Sequence, residues 1–203
     1  MQTSYHITAS GIKYVVASNA QETDRSLLLY ILKKNNTPVS FNEIVIFFKD
    51  DKKSAFTEIC KLIKLEFIDI IESNSLLKNI NQTNTDISTT DKTINHQYTK
   101  KDFVLSDLNG FPVTYSGFNH QQSLTISAVA YDFIQASSRA RHNHEKQFKP
   151  LSIKTFWQDM DITIFLLFFG NFSCILTTKD SGLLDEIGFT YLASFLCNRY
   201  NYE

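Results

Sequence analysis

The stretch Phe103-Val-Leu-Ser-Asp-Leu-Asn-Gly-Phe-Pro-Val-Thr-Tyr-Ser-Gly-Phe118 constrains the fold more than any other part of the chain. Two short apolar-rich runs meet at Asn109-Gly110, the dipeptide that best tolerates the positive φ angles of a two-residue hairpin turn. A helical sequence begins near His120, directly after the second run. A β-hairpin that opens a domain and feeds a long helix belongs to a small set of mixed α/β architectures.

The rest of this half follows the same pattern. Strands are expected near 103–108 and 111–116, a helix near 120–140, and strands near 151–158, 161–169 and 172–178. The last two turn at Gly170-Asn171, and a final helix follows near 183–198. In Asp161-Ile-Thr-Ile-Phe-Leu-Leu-Phe-Phe169, Ile162, Ile164, Leu166 and Phe168 point one way while Phe165, Leu167 and Phe169 point the other. Apolar residues on both sides predict an interior strand with both sheet faces covered. In the final helix Leu184, Ile187, Tyr191, Leu192 and Phe195 form the expected stripe, and Ser181 is the expected cap.

Residues 79–101 break the pattern. They are polar, with isolated Ile residues and no apolar period, and such a segment buries too little surface to offset the entropy of ordering it. They read as a flexible tether, with a long ordered loop or wing as the alternative. The tether divides the chain into domains at about 1–78 and 102–203.

In the first domain, Asp24 is placed to cap a helix over 25–34, and Asn35-Asn-Thr-Pro38 ends it. Ser40 and Glu43 match a capping box for a second helix. Asp50-Asp51 closes that helix and opens a third, with Phe56, Ile59, Cys60, Leu62 and Ile63 at apolar positions. Phe67–Glu72 alternates like a strand, and Leu76-Leu77 is its expected return partner.

Composition excludes several classes. With formal net charge −1 over 203 residues, the chain is no global polycation for nucleic acid or anionic membrane. The longest apolar run, Ile164–Phe169, is too short to span a bilayer. The N-terminus has neither the charged region nor the apolar region of a signal peptide, and a cytoplasmic location is expected. Cys60, Cys174 and Cys197 sit among apolar residues and read as reduced, buried thiols. His142-Asn-His144, beside Arg139 and Arg141, lacks the further donors zinc requires and reads as a basic helix end, or as a contact for an acidic partner or phosphate. No phosphate-binding loop, nucleophile elbow or zinc-protease motif occurs, so neither enzymatic activity nor a cofactor or metal is expected.

Two resemblances organise these features. The segments Leu27–Leu32, Pro38–Ile44, Ser54–Leu62 and Leu65–Ile70 resemble a winged helix-turn-helix, three helices followed by a β-wing. That resemblance implies DNA contact through the third helix, with Lys52, Lys53, Lys61 and Lys64 on phosphates. Against it, residues 22–75 are slightly acidic, and winged helices also serve as protein-interaction modules. The order β-β-α-β-β-β-α, with the turn Asp107-Leu-Asn-Gly110 and a helix carrying Ser127, Ala128, Ala130, Ala136, Ser137 and Ala140, resembles the roadblock (dynein light chain) family and its longin- and profilin-like relatives. Roadblock domains usually begin with an extra helix, which residues 84–101 do not supply.

The expected fold is therefore α+β: an N-terminal winged helix and a C-terminal roadblock-like five-stranded antiparallel sheet with helices. By resemblance, such a domain forms a homodimer through its middle helix and adjoining edge strand, and the dimer docks a Ras-like small GTPase. Those surfaces correspond to Gln121–Ala140 and Leu151–Gln158, with Leu124, Ala128, Tyr131, Leu151, Ile153 and Trp157 as interface residues. Trp157 reads as core or as an interface anchor. The expected function is that of a non-enzymatic regulator or scaffold, with a DNA-binding transcriptional regulator as the alternative.

Overall fold

The computed structural model describes residues 3–34, 37–72, 101–140, 151–157 and 160–200. It is a mixed α+β protein with six helices, a three-stranded sheet and a five-stranded sheet among those residues. The His142–His144 cluster and nearly all of the 79–101 tether lie outside them, as does Leu76-Leu77.

The N-terminal part begins with two elements that the sequence reading missed. Strand β1 (Thr3–Ile7) and helix α1 (Ala9–Val16) come first, then α2 (Thr23–Lys33). Strand β2 (Val39–Ser40), α3 (Phe41–Phe47), α4 (Lys52–Lys64) and β3 (Ile68–Glu72) complete it. The sheet order is β2-β1-β3, all antiparallel, so β3 pairs with the chain's first strand. The signal for α1 is Thr8, whose side chain caps it by accepting from the Gly11 N–H. Gly11 lies so close to β3 that a Cβ there would collide with the Phe67 carbonyl.

Local capping explains the other helices. Ser40 and Glu43 form the expected capping box on α3, and Asp51 accepts from the N–H groups of Lys53 and Ser54 to cap α4. Two details differ from expectation. The N-cap of α2 is Glu22, and Asp24 is buried within the first turn, its carboxylate drawn into a side-chain network described below. The buried stripe of α4 is Ala55, Ile59 and Leu62, which turns Phe56 (61% exposed) and Cys60 outward. Cys60 follows Ile59 by one residue, about 100° around the helix, so the two cannot share the inward face.

The C-terminal part follows the expected order. Strands β4 (Phe103–Ser106) and β5 (Pro112–Ser116) precede α5 (His120–Ala140). Strands β6 (Leu151–Trp157), β7 (Met160–Phe169) and β8 (Phe172–Thr178) follow, then a 3-10 turn at Leu183–Asp185 and α6 (Ile187–Tyr200). The antiparallel sheet runs β5-β4-β8-β7-β6.

The first hairpin turns differently from the sequence reading. Asp107 pairs with Phe111 across three residues, and its side chain accepts from the N–H groups of Asn109 and Phe111. Gly110 has φ +81° while Asn109 stays at negative φ, so the loop is Leu108-Asn109-Gly110 with only the glycine left-handed. Two further expectations fail at the other end. Asp180, not Ser181, accepts from the Gly182 N–H, and Tyr191 is 44% exposed because Phe189, Leu192 and Leu196 form the inward stripe.

The two faces of the five-stranded sheet are covered differently. On one, Phe103, Leu105, Phe165, Leu167, Phe169 and Leu176 pack with α6. The same core continues into Ile12, Leu28, Ile31 and Leu32 of α1 and α2, so the two halves of the chain share one hydrophobic core. The Ser194 hydroxyl on α6 donates to the Leu32 carbonyl at 2.7 Å, and Lys13 pairs with Asp185. On the other face α5 packs chiefly over β8, β4 and β5. There Ala130 and Ile134 meet Leu151, Ile164 and Ile175, and the Ser106 hydroxyl donates to that of Ser127 at 2.7 Å.

Candidate functional site

A sheet edge is a row of backbone donors and acceptors awaiting a partner, and this sheet ends in two unlike edges. Strand β5 starts at a proline and carries a bulge at Val113, which is skipped where Leu105 pairs with Thr114 and Ser106 with Pro112, features that blunt an edge. Strand β6 is seven residues long, all in regular register with β7. Trp157 pairs with Met160 across two residues, so that closing pair exchanges both ladder bonds. Alternation along the strand then turns the peptide groups of Ser152, Lys154 and Phe156 toward the open edge. Phe156 is 65% exposed.

The helix beside this edge leaves it partly uncovered. Because α5 lies mainly over β8, β4 and β5, Ile153, Thr155 and Leu166 at the β6 end remain half-buried. The outward side of α5 carries Thr125, Asp132, Phe133 and Ala136, all exposed and spaced on one helical face. Together the edge, the half-buried strip and the exposed helix face make a surface suited to another sheet or strand.

The expected interface residues fall in different places. Leu151 is buried, and Ile153 and Tyr131 pack against the cluster beneath α5. Ala128 and Tyr131 face the first hairpin, where a Cβ on Gly110 would lie 3.2 Å from Tyr131 Cβ and 3.6 Å from Ala128 Cα. Leu124 is half-buried. The side chain of Trp157 lies outside the described residues. Phe133 and Phe156, which the sequence reading did not single out, are the large apolar side chains left exposed on α5 and β6. Phe156 alternates out of phase with Leu151 and Ile153, but Phe133 stands seven residues from buried Ile126, nearly in the same direction around the helix, so spacing alone does not mark it as exposed.

The four lysines of the DNA reading also divide. Lys52, Lys53 and Lys64 are exposed on α4. Lys61 bonds to Asp24 at 3.0 Å and Glu58 at 3.1 Å. Burial alone would lower the Lys61 pKa, but these carboxylates outweigh it and raise it.

Asp24 is the buried centre of a polar network that reaches the surface at Lys61. It is 4% exposed and accepts from the Tyr14 hydroxyl at 2.8 Å and from Lys61. Glu22 accepts from the same hydroxyl at 2.9 Å, and Arg25 stacks 4.0 Å from the Tyr14 ring centroid while donating to the Tyr14 carbonyl. Burial works to raise Asp24, yet the bonds from Lys61, Tyr14 and the Arg25 N–H hold it below the usual carboxylate range. Burial, with the two carboxylate bonds, pushes the Tyr14 phenol upward. The network joins α1, α2 and α4.

Burial likewise keeps the inner cysteines protonated, raising Cys174 and pushing Cys197 up to about 12. Among the described residues no cluster of three or more His, Cys, Asp or Glu side chains is arranged to hold a metal ion. No described helix is long and apolar enough to cross a membrane. Compared with protein-family models and with curated proteins, the chain matches none.

Proposed function

We propose that this chain is a non-enzymatic regulator or scaffold that binds protein partners, a second copy of itself first, through the β6 edge and α5. The observation that carries the reading is the long β6 edge, interrupted by neither proline nor bulge, beside a half-covered apolar strip. The sheet order β5-β4-β8-β7-β6, with α5 on one face between the second and third strands, supports the roadblock-like resemblance. The extra helix such domains usually carry has a counterpart in α1, which packs on β7 beside α6. By that resemblance the dimer's continuous sheet docks a Ras-like small GTPase.

The N-terminal part supports a winged-helix-like reading in the order α2, β2, α3, α4, β3, with β1 as the third strand. In this reading it is an interaction module, since Lys61 is already engaged by two carboxylates. Sedimentation velocity of the full chain tests the proposal, alongside Lys154→Pro, which removes an edge-facing N–H without touching the β7 ladder. A dimer that Lys154→Pro converts to monomer is expected. A wild-type chain that stays monomeric at high micromolar concentration contradicts the proposal.

A further inference from the structure

One charged residue stands at the middle of the β6 edge. The strand reads Leu-Ser-Ile-Lys-Thr-Phe-Trp, and Lys154 is its only charge. Ser152, Lys154 and Phe156, whose peptide groups face outward, also expose their side chains on the sheet face away from α5. Among the described residues no hydrogen bond or ion pair engages these three on the open side. On β7 the residue paired with Lys154 is Thr163, and the nearest carboxylate in the ladder, Asp161, is paired with Phe156 instead.

A second copy related by a two-fold axis meets this strand antiparallel, with every pair repeated by symmetry. Only one register within the strand uses all three edge-facing residues of both copies. It is centred on Lys154, so that Ser152 lies opposite Phe156 of the second copy and Lys154 lies opposite itself. Centring the pair on Thr155 leaves Ser152 outside the ladder. Centring it on Ile153 sets Phe156 opposite Pro150, which has no N–H to donate. Either shift pairs two edge-facing residues of each copy rather than three, and one like-charge pair on an exposed face costs less than the two ladder bonds given up. The favoured register therefore sets two ammonium groups directly against each other, which weakens the pairing it belongs to.

On the self-pairing proposed above, we infer that Lys154 is a charge brake on self-association: ionised, it holds the β6 pairing below the strength its ladder allows, and loss of its charge releases it. Sedimentation of the full chain, parent against Lys154→Gln, reads the effect. Lys154→Gln is expected to tighten the dimer about two- to fivefold. Raising salt from ~50 to ~500 mM is expected to tighten the parent more than the variant, because screening relieves the repulsion only where it exists. A charge swap gives the larger signal. Copies carrying Lys154→Glu are mixed with parent copies and followed by energy transfer between dyes on the exposed Cys60. Mixed dimers are expected in excess of the statistical half, since only they set opposite charges on the axis. A Lys154→Gln dimer weaker than the parent overturns the inference by pointing to the register that sets Lys154 against Phe156. An unchanged dissociation constant, or a merely statistical mixture, overturns it as well. A parent chain with no dimer at high micromolar concentration contradicts the self-pairing and this inference together, whereas a dimer indifferent to the charge at Lys154 contradicts the inference alone.

Discussion

On β7, Phe165, Leu167 and Phe169 enter a core shared with α1, α2 and α6, while Ile164, one residue from Phe165, enters a smaller cluster under α5. The first face is large, aromatic and continuous with the N-terminal half. The second relies on small residues, with Ala130 and Ile134 against Leu151 and Ile175 and a Ser106–Ser127 hydroxyl pair. It also buries Thr177, whose hydroxyl has no hydrogen-bond partner among the described residues. One face welds the two halves of the chain together. The other holds a helix whose outer side and neighbouring edge are left uncovered by the described residues.

The largest expected effect comes from weakening each face in turn. Phe169→Ala should cost about 3–5 kcal/mol and Ile134→Ala about 2–3 kcal/mol, the difference following the volume lost and the packing around it. Denaturant unfolding measures both. Because the core is shared, Phe169→Ala should shift the N- and C-terminal halves together in one transition. Separate transitions for the two halves would undo the contrast between the faces.

A smaller effect concerns pH. Asp24 has its folded pKa depressed, so the stability it contributes is present above the unfolded carboxylate pKa and is lost as pH falls through the folded one. The loss should therefore begin below about pH 4. Asp24→Asn should lower stability at neutral pH and flatten this acid-side decline, as followed by acid titration of the unfolding midpoint. A decline as steep in the variant as in the parent would assign the acid sensitivity elsewhere.

The smallest expected change is at Thr177. Replacing it by valine removes a buried hydroxyl while keeping the shape, so Thr177→Val should be neutral or stabilising by up to about 1 kcal/mol. A substantial destabilisation would mean that the α5 face depends on a polar contact at this hydroxyl.

Much of the C-terminal half was legible because its signals are local and strong. The two-faced run Ile162–Phe169, the turn at Gly170-Asn171 and the helix from His120 to Ala140 all lie as read. The capping box at Ser40 and the cap at Asp51 were equally readable, since a side chain and an N–H three residues away decide them. What escaped depends on distant partners. Strand β1 is short and polar, and it is fixed by pairing with β3 some 65 residues away. Apolar residues in α4 and α6 are expected inward from helical spacing, whereas their neighbours decide which ones turn out, leaving Phe56, Cys60 and Tyr191 exposed. The candidate surface was legible as a region, α5 and β6, but its exposed residues were not, because burial under α5 selects Leu151 and leaves Phe133 and Phe156 out.

Hydrogen exchange on the full chain, compared between nanomolar and high micromolar concentration, examines the use of the second face. If a second copy covers the open edge, the amides of Ser152, Lys154 and Phe156 and the outward side of α5 gain protection as concentration rises. Those of α2 and α6, already within the shared core, do not change. Protection at Ser152, Lys154 and Phe156 that is independent of concentration, in a chain that remains monomeric, would contradict the assignment of this edge to self-association.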